Sequence, residues 1–153
     1  MAGRQATGFE LAVRSLSRRE RTVAEVREWL AGREVDSAEA DAAIERLIEM
    51  GQLDDERYAE LFTQDKRELF GWAPGRIREG LVEKGVSPSV AAAATGGESH
   101  DALAERAADL LVSRDDRLDD DSGRGRALAF LARRGYELEV AYAAVRLAER
   151  RAA

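Results

Sequence analysis

The stretch of this sequence best equipped for chemistry is "GQLDDERYAELF", residues 51–62, where Asp54, Asp55 and Glu56 stand in a row. Adjacent carboxylates can bind magnesium or share a proton for acid–base work. These acids immediately precede a helically spaced apolar set, Tyr58, Leu61, Phe62 and Leu69. Asp54 stands where a helix takes its cap. Asp55 and Glu56 fall in the first turn, where the helix dipole favours negative charge. No other ligand type neighbours them. The spacing therefore predicts a helix start, with Tyr58, Leu61 and Phe62 supplying core.

Other candidates for catalysis are few. His100 is the only histidine. It sits near an expected helix start, where a cap or a solvent-facing role is the commoner fate. There is no phosphate-binding loop, nucleophile elbow or H-E-x-x-H. "DDDSG", 119–123, resembles part of a calcium loop without its alternate spacing or distal glutamate, and reads as a solvated loop. The chain has no cysteine, which excludes disulfides and thiolate metal sites. The expectation is a protein with no catalytic residues, no cofactor and no metal.

The basic residues are more suggestive. The net charge is −6, and only Lys66 and Lys84 among the 24 basic residues are lysines. A GC-rich genome explains that bias as readily as a need for bidentate contacts. Arg14, Arg18, Arg19 and Arg21 cluster at the end of the first expected helix. Arg76, Arg78 and Lys84 share a second helix, and Arg124, Arg126, Arg133 and Arg134 a third. Residues 122–136 hold four arginines and no acid. Two readings fit. One is a solvated face with charges at helix C-termini. The other is a surface on which repeated units align arginines toward an acidic partner or a phosphate backbone.

The elements that must position these residues are helical almost throughout. Phe9, Ala12, Val13 and Leu16 follow i, i+3, i+4, i+7. Thr22 with Glu25, and Asp36 with Glu39, have capping-box spacing, and Gly51 stops the helix that follows Asp36. Ser87 with Pro88 pairs a cap with a first-turn proline. "RIREGLVEKGVSP" and "RALAFLARRGYEL" repeat one pattern, in which Leu81, Lys84, Gly85 and Val86 match Leu131, Arg134, Gly135 and Tyr136. A weaker copy is Leu30, Arg33, Glu34 and Val35. Helices are expected at 9–19, 22–33 and 37–50, at 55–70, 74–84 and 88–95, and at 100–114, 123–134 and 137–151. The fold class is all-α: three tandem three-helix repeats, 1–52, 53–97 and 98–153, stacked into an elongated arrangement with a broad surface and no deep pocket. "AAAATGGESH", 91–100, predicts a short or frayed helix, and "SRDDRLDDDSGRG", 113–125, an exposed loop. No apolar run approaches a membrane span. The first ten residues lack the apolar centre of a signal peptide, so a cytoplasmic protein is expected.

"GQLDDERYAELFTQDKRELFGWAPGRIREGLVEKGVSP", 51–88, resembles the central signature of the RecX family, regulators of the RecA recombinase. "LSRRERTVAEVREWL" and "ALAFLARRGYELEVA" are similar to the family's first and third units. The resemblance implies three helix-turn-helix-like repeats in a curved molecule. It implies a cytoplasmic, monomeric non-enzyme in DNA repair, recombination and the SOS response. Such a protein binds RecA, chiefly its filament on single-stranded DNA, and restrains its recombinase, ATPase and coprotease activities. The expected contacts, to RecA or DNA phosphates, are Arg18, Arg19, Arg76, Arg78, Lys84, Arg124, Arg126, Arg133 and Arg134. The alanine-rich helix near residue 92 and the acidic 113–123 loop depart from the family pattern, and imply at most weak binding to single-stranded DNA. The alternative is a helix-turn-helix-like DNA-binding protein acting without RecA, against which the net charge of −6 argues.

Overall fold

A computed structural model of the chain describes residues 5–153, which form nine helices and no strand. These are α1 (Gly8–Leu16), α2 (Val23–Ala31), α3 (Ser37–Glu49), α4 (Asp55–Phe70), α5 (Pro74–Glu83), α6 (Pro88–Thr95), α7 (His100–Ser113), α8 (Asp121–Arg133) and α9 (Leu138–Ala152). None of them is long and apolar enough to cross a membrane.

Local caps explain most of the helix starts, because a side-chain oxygen satisfies N–H groups that have no intrahelical partner. Thr7 accepts from Glu10 N at the head of α1, and Thr22 and Glu25 form a reciprocal box at α2. Asp54 Oδ1 accepts from the backbone of Glu56 and Arg57 at 3.0 and 3.1 Å. Ser87 caps α6 and Ser99 caps α7, so His100 is the first residue of α7 and not its cap.

Three expectations are corrected. Asp36 makes no side-chain cap, and Glu39 instead accepts from Gly8 N at the head of α1, 2.6 Å away. Only Asp119 and Asp120 of "DDDSG" lie in a loop: Asp120 caps α8 through Gly123 N at 2.6 Å, and the helix begins at Asp121 and runs through Gly125. On α4 the fully buried face is Ala59 and Thr63, while Leu61 and Leu69 are 46% and 74% exposed. Tyr58 and Phe62 are half-buried.

The repeated pattern is one turn built three times. Val35 N bonds Leu30 O, Val86 N bonds Leu81 O, and Tyr136 N bonds Leu131 O, at 3.1, 3.0 and 3.1 Å. Each closes a left-handed helix end with an apolar pair across it. The left-handed residue is Gly85 (φ 90°) and Gly135 (φ 91°) in two copies, but Glu34 (φ 61°) in the first. A side chain there costs about 1–2 kcal/mol, part of which glycine returns as chain entropy. Glu34→Gly is therefore expected to stabilise the protein by about 0.5–1 kcal/mol, read as a melting temperature raised by roughly 1–4 °C. An unchanged or lower temperature would contradict that conformation.

The chain packs as two compact units. The first extends to Leu61 and takes in Gly80–Ala94; the second comprises Phe62–Glu79 and Thr95–Ala153. The first is centred on Ala12, Val26, Leu30, Ile44, Leu47 and Leu53. In the second, α7 and α9 pack along alanine-rich faces: Ala104, Ala107, Ala108 and Leu111 against Ala141, Ala144, Val145 and Ala148. Small side chains allow the two backbones to approach closely.

Candidate partner-binding surface

Each unit contains one joint that fixes a basic turn. In the first, the Lys84 carbonyl accepts from Thr22 Oγ1 at 2.6 Å, so the end of α5 is tied to the head of α2. In the second, the Arg134 carbonyl accepts from Ala73 N at 2.8 Å, so the end of α8 is tied to the head of α5. The glycine after each basic residue is pressed against its neighbour. A Cβ on Gly85 would lie 2.2 Å from Ala24 Cβ, and one on Gly135 2.5 Å from Arg76 Cβ. Neither position tolerates a side chain, and the basic residue before each glycine is held by its own carbonyl.

Asp55, the middle of the three adjacent acids, also serves the first joint. Asp55 Oδ1 accepts from Val23 N at 2.9 Å, capping α2 from across the unit. Among the described residues no group of three or more His, Cys, Asp or Glu is placed to hold a metal ion. Burial raises the Asp55 carboxyl above its ordinary value, against the Val23 bond, with the Asp54 and Glu25 charges adding to the rise. A carboxyl raised on folding holds its proton more tightly in the folded chain. Its stabilising contribution is complete below the unfolded value and is lost as pH rises through the folded one. Asp55→Asn keeps the acceptor and removes the buried charge, so at pH 7 it should be at least as stable as the parent. Asp55→Ala should lose about 1 kcal/mol. Equal losses in urea unfolding would show that the Val23 bond is absent.

The second unit gathers arginines around aromatic rings. The guanidinium of Arg76 lies over Trp72, 4.1 Å from its centroid, and Arg76 also donates to the Arg133 carbonyl. Arg114 and Arg134 lie 3.7 and 3.8 Å from the centroid of Phe130. Two cations that close to one centroid must occupy opposite faces. Arg134 Nε also donates to Phe70 O at 3.2 Å. Lys66 stands 4.3 Å from the Phe70 ring and 4.7 Å from Trp72. Burial, then the charges of Arg114, Arg76 and Arg133, push the Arg134 guanidinium below its ordinary range. It remains a cation at neutral pH. Four arginines are thus crowded together in a chain of net charge −6, with Asp116 at 3.5 Å from Arg114 as a nearby acid.

The remaining expected contacts are placed differently. Arg124 is engaged internally, donating to Leu118 O at 3.1 Å with Asp121 and Glu149 each at 3.6 Å. Arg126 bonds Ser122 Oγ at 2.8 Å, and Arg78 Nε bonds Thr95 Oγ1 at 3.2 Å. Arg19 pairs with Glu25 at 3.2 Å. Arg18, Lys84 and Arg133 are exposed, Lys84 just beyond the last residue of α5. The sequence reading missed Lys66, Phe70, Trp72 and Arg114. "KRELFGW", two bases followed closely by two aromatics, was the available signal for the first three.

Family models match this chain twice: the first three-helix domain of RecX over residues 9–47, and the second over 54–94. A regulatory protein RecX of Thermus thermophilus is 38% identical over 138 residues, covering 90% of this chain and 89% of its own. The chain belongs to the RecX family. Another RecX, from Lactobacillus delbrueckii subsp. bulgaricus, is 36% identical over 89 residues. There the match covers 58% of this chain and about a third (33%) of the longer relative. The crystal structure of RecX from Lactobacillus salivarius has the same fold, with a TM-score of 0.80 at 20% identity over 93% of this chain and 94% of that one. The tandem three-helix architecture of this chain is therefore the RecX architecture.

Proposed function

We propose that this chain is a non-enzymatic regulator that binds the RecA recombinase, chiefly as its filament on single-stranded DNA, and restrains its strand exchange, ATPase and coprotease activities. Membership of the RecX family along nearly the whole chain carries the reading. The crowded arginines of the second unit support it, because four arginines with one paired acid, Asp116, leave a net cationic patch on an acidic protein, and such a patch favours an anionic face. Arg133 and Arg18 are exposed and available to a partner. Arg76 and Arg134 act mainly by holding the patch together through the carbonyls they bond. Several modest contacts on one chain raise the effective concentration of each, so the complex can be tight without a deep pocket.

The test is RecA ATP hydrolysis on single-stranded DNA with this protein added below stoichiometry. Inhibition is expected. Arg133→Glu should weaken it several-fold without lowering the melting temperature, since rim charges act on association more than on folding. Absence of inhibition, and of binding to filaments at moderate salt, would overturn the reading.

A second reading, direct binding of single-stranded DNA without RecA, is favoured by Phe70, 49% exposed, and Trp72 beside Lys66 and Arg76. An exposed ring and a half-buried one amid cations suit stacked bases. A shift assay on bare DNA that showed tight, steeply salt-dependent binding would promote it.

A further inference from the structure

The first unit carries a second surface, opposite in sign to the arginine patch. It is a groove of about 360 Å³ lined by Glu56 and Glu60 of α4 and by Ser89, Val90, Ala93 and Ala94 of α6. Its origin is the alanine run. Side chains that end at Cβ supply no atoms to fill the seam against α4, so the space stays open. Ala93 is exposed and Val90 half-buried, which leaves an apolar floor in contact with water.

Among the described residues no cation pairs with the acidic rim. Glu56 and Glu60 lie one helical turn apart on the same face, an arrangement in which like charges repel. Both are exposed, and among the described residues neither carboxylate is in an ion pair. Arg57, the nearest base in sequence, is engaged elsewhere: its Nη1 donates to Gly51 O at 2.8 Å and its Nη2 lies 3.7 Å from Glu20. A visiting cation would relieve the repulsion. An ion alone would leave the apolar floor uncovered, and a nucleic acid would bring a third negative charge.

We propose that this groove receives the side chain of an arginine presented by a protein partner, with its aliphatic stem on Val90 and Ala93 and its guanidinium between Glu56 and Glu60. Long basic side chains combine an apolar stem with a charged head, which is the pairing this groove offers. The proposal does not depend on the filament reading. It asks only for a protein with an accessible basic residue.

The test is a titration of the full chain, methyl-labelled at alanine and valine, with N-acetyl-arginine methylamide at millimolar concentration. Saturable shifts at Val90, Ala93 and Ala94 are expected, and none with the citrulline analogue, which has the same shape and no charge. In Glu56→Gln with Glu60→Gln the affinity should fall about fivefold to tenfold, the scale of two exposed ion pairs. Ala93→Leu, which fills the groove from its own floor, should abolish the shifts while the α4 caps persist. Absence of shifts in the parent chain, equal shifts with citrulline, or undiminished binding in the double glutamine variant would each overturn the assignment.

Discussion

Gly85→Ala is expected to destabilise this protein by about 2–5 kcal/mol, although it adds only one methyl group at the surface of a turn. Two costs add. A left-handed residue with a side chain loses about 1–2 kcal/mol. Forcing an extra methyl into a packed contact costs typically 1–3 kcal/mol. The second cost is unavoidable here because the Cβ would lie 2.2 Å from Ala24 Cβ, an atom fixed to the α2 backbone that no rotamer change can move. Relief would require the turn to back away from α2, and that would break the Thr22 bond to the Lys84 carbonyl. Gly51 separates the two costs. Its φ is 73°, yet a Cβ there would meet nothing within 4 Å, so Gly51→Ala should show the conformational cost alone. Adding Ala24→Gly to Gly85→Ala should recover part of the loss and leave the conformational part. The measurement is the urea midpoint of each variant. If Gly85→Ala costs no more than Gly51→Ala, the close approach between turn and helix does not exist.

The same comparison shows what a sequence can and cannot reveal about this molecule. The helices were legible because their signals are local. Thr22 with Glu25, Asp54, Ser87 with Pro88, and the glycines at 85 and 135 each act within a few residues of themselves. The turn motif was legible because it recurs. What escaped is what depends on distant neighbours. Glu39 has capping-box spacing after Asp36, but its carboxylate goes to Gly8, 31 residues away. Asp55 looked like a first-turn charge and caps another helix, 32 residues away. Leu61 and Leu69 fit a helical stripe and yet are exposed, because the buried face of α4 holds the smaller Ala59 and Thr63. The arginines illustrate this most clearly. Counted in the sequence they form one class. In the structure Arg76 and Arg134 hold backbone carbonyls, Arg124 is held by Asp121 and Glu149, and Arg133 is exposed. Several of the candidate arginines therefore also have an internal partner, which their spacing in the sequence does not reveal.

Glu98→Ala is the other substitution with a large expected effect, and nothing in the sequence marks it. Its carboxylate takes two bonds from Arg106, at 2.8 Å from Nε and 2.9 Å from Nη2, with Arg67 Nε at 3.0 Å. Arg106 also donates to Trp72 O at 3.1 Å, and Arg67 to Thr95 O at 3.3 Å. One acid thus holds two guanidiniums that in turn hold the segment before α5 and the last residue of α6. The three side chains are only 18%, 23% and 28% exposed, for Glu98, Arg106 and Arg67, so water screens them poorly. Removing the carboxylate leaves two partly buried like charges facing one another. The penalty for uncovering a buried partner reaches about 3–5 kcal/mol, and the residual exposure places this case at about 2–3 kcal/mol. Glu98→Gln, which keeps one acceptor but no charge, should fall between Ala and the parent. The loss should appear in Trp72 fluorescence, followed in a Trp29→Phe background so that one indole reports. High salt should narrow the gap between Glu98→Ala and the parent by screening the two arginines. The decisive comparison adds Arg106→Leu to Glu98→Ala. If stability reflects an uncovered charge, the double variant, with one cation fewer, should lose less than the sum of the two single changes. Strict additivity would mean that Glu98 and Arg106 stabilise the second unit independently, and the ion network would not be its organising contact.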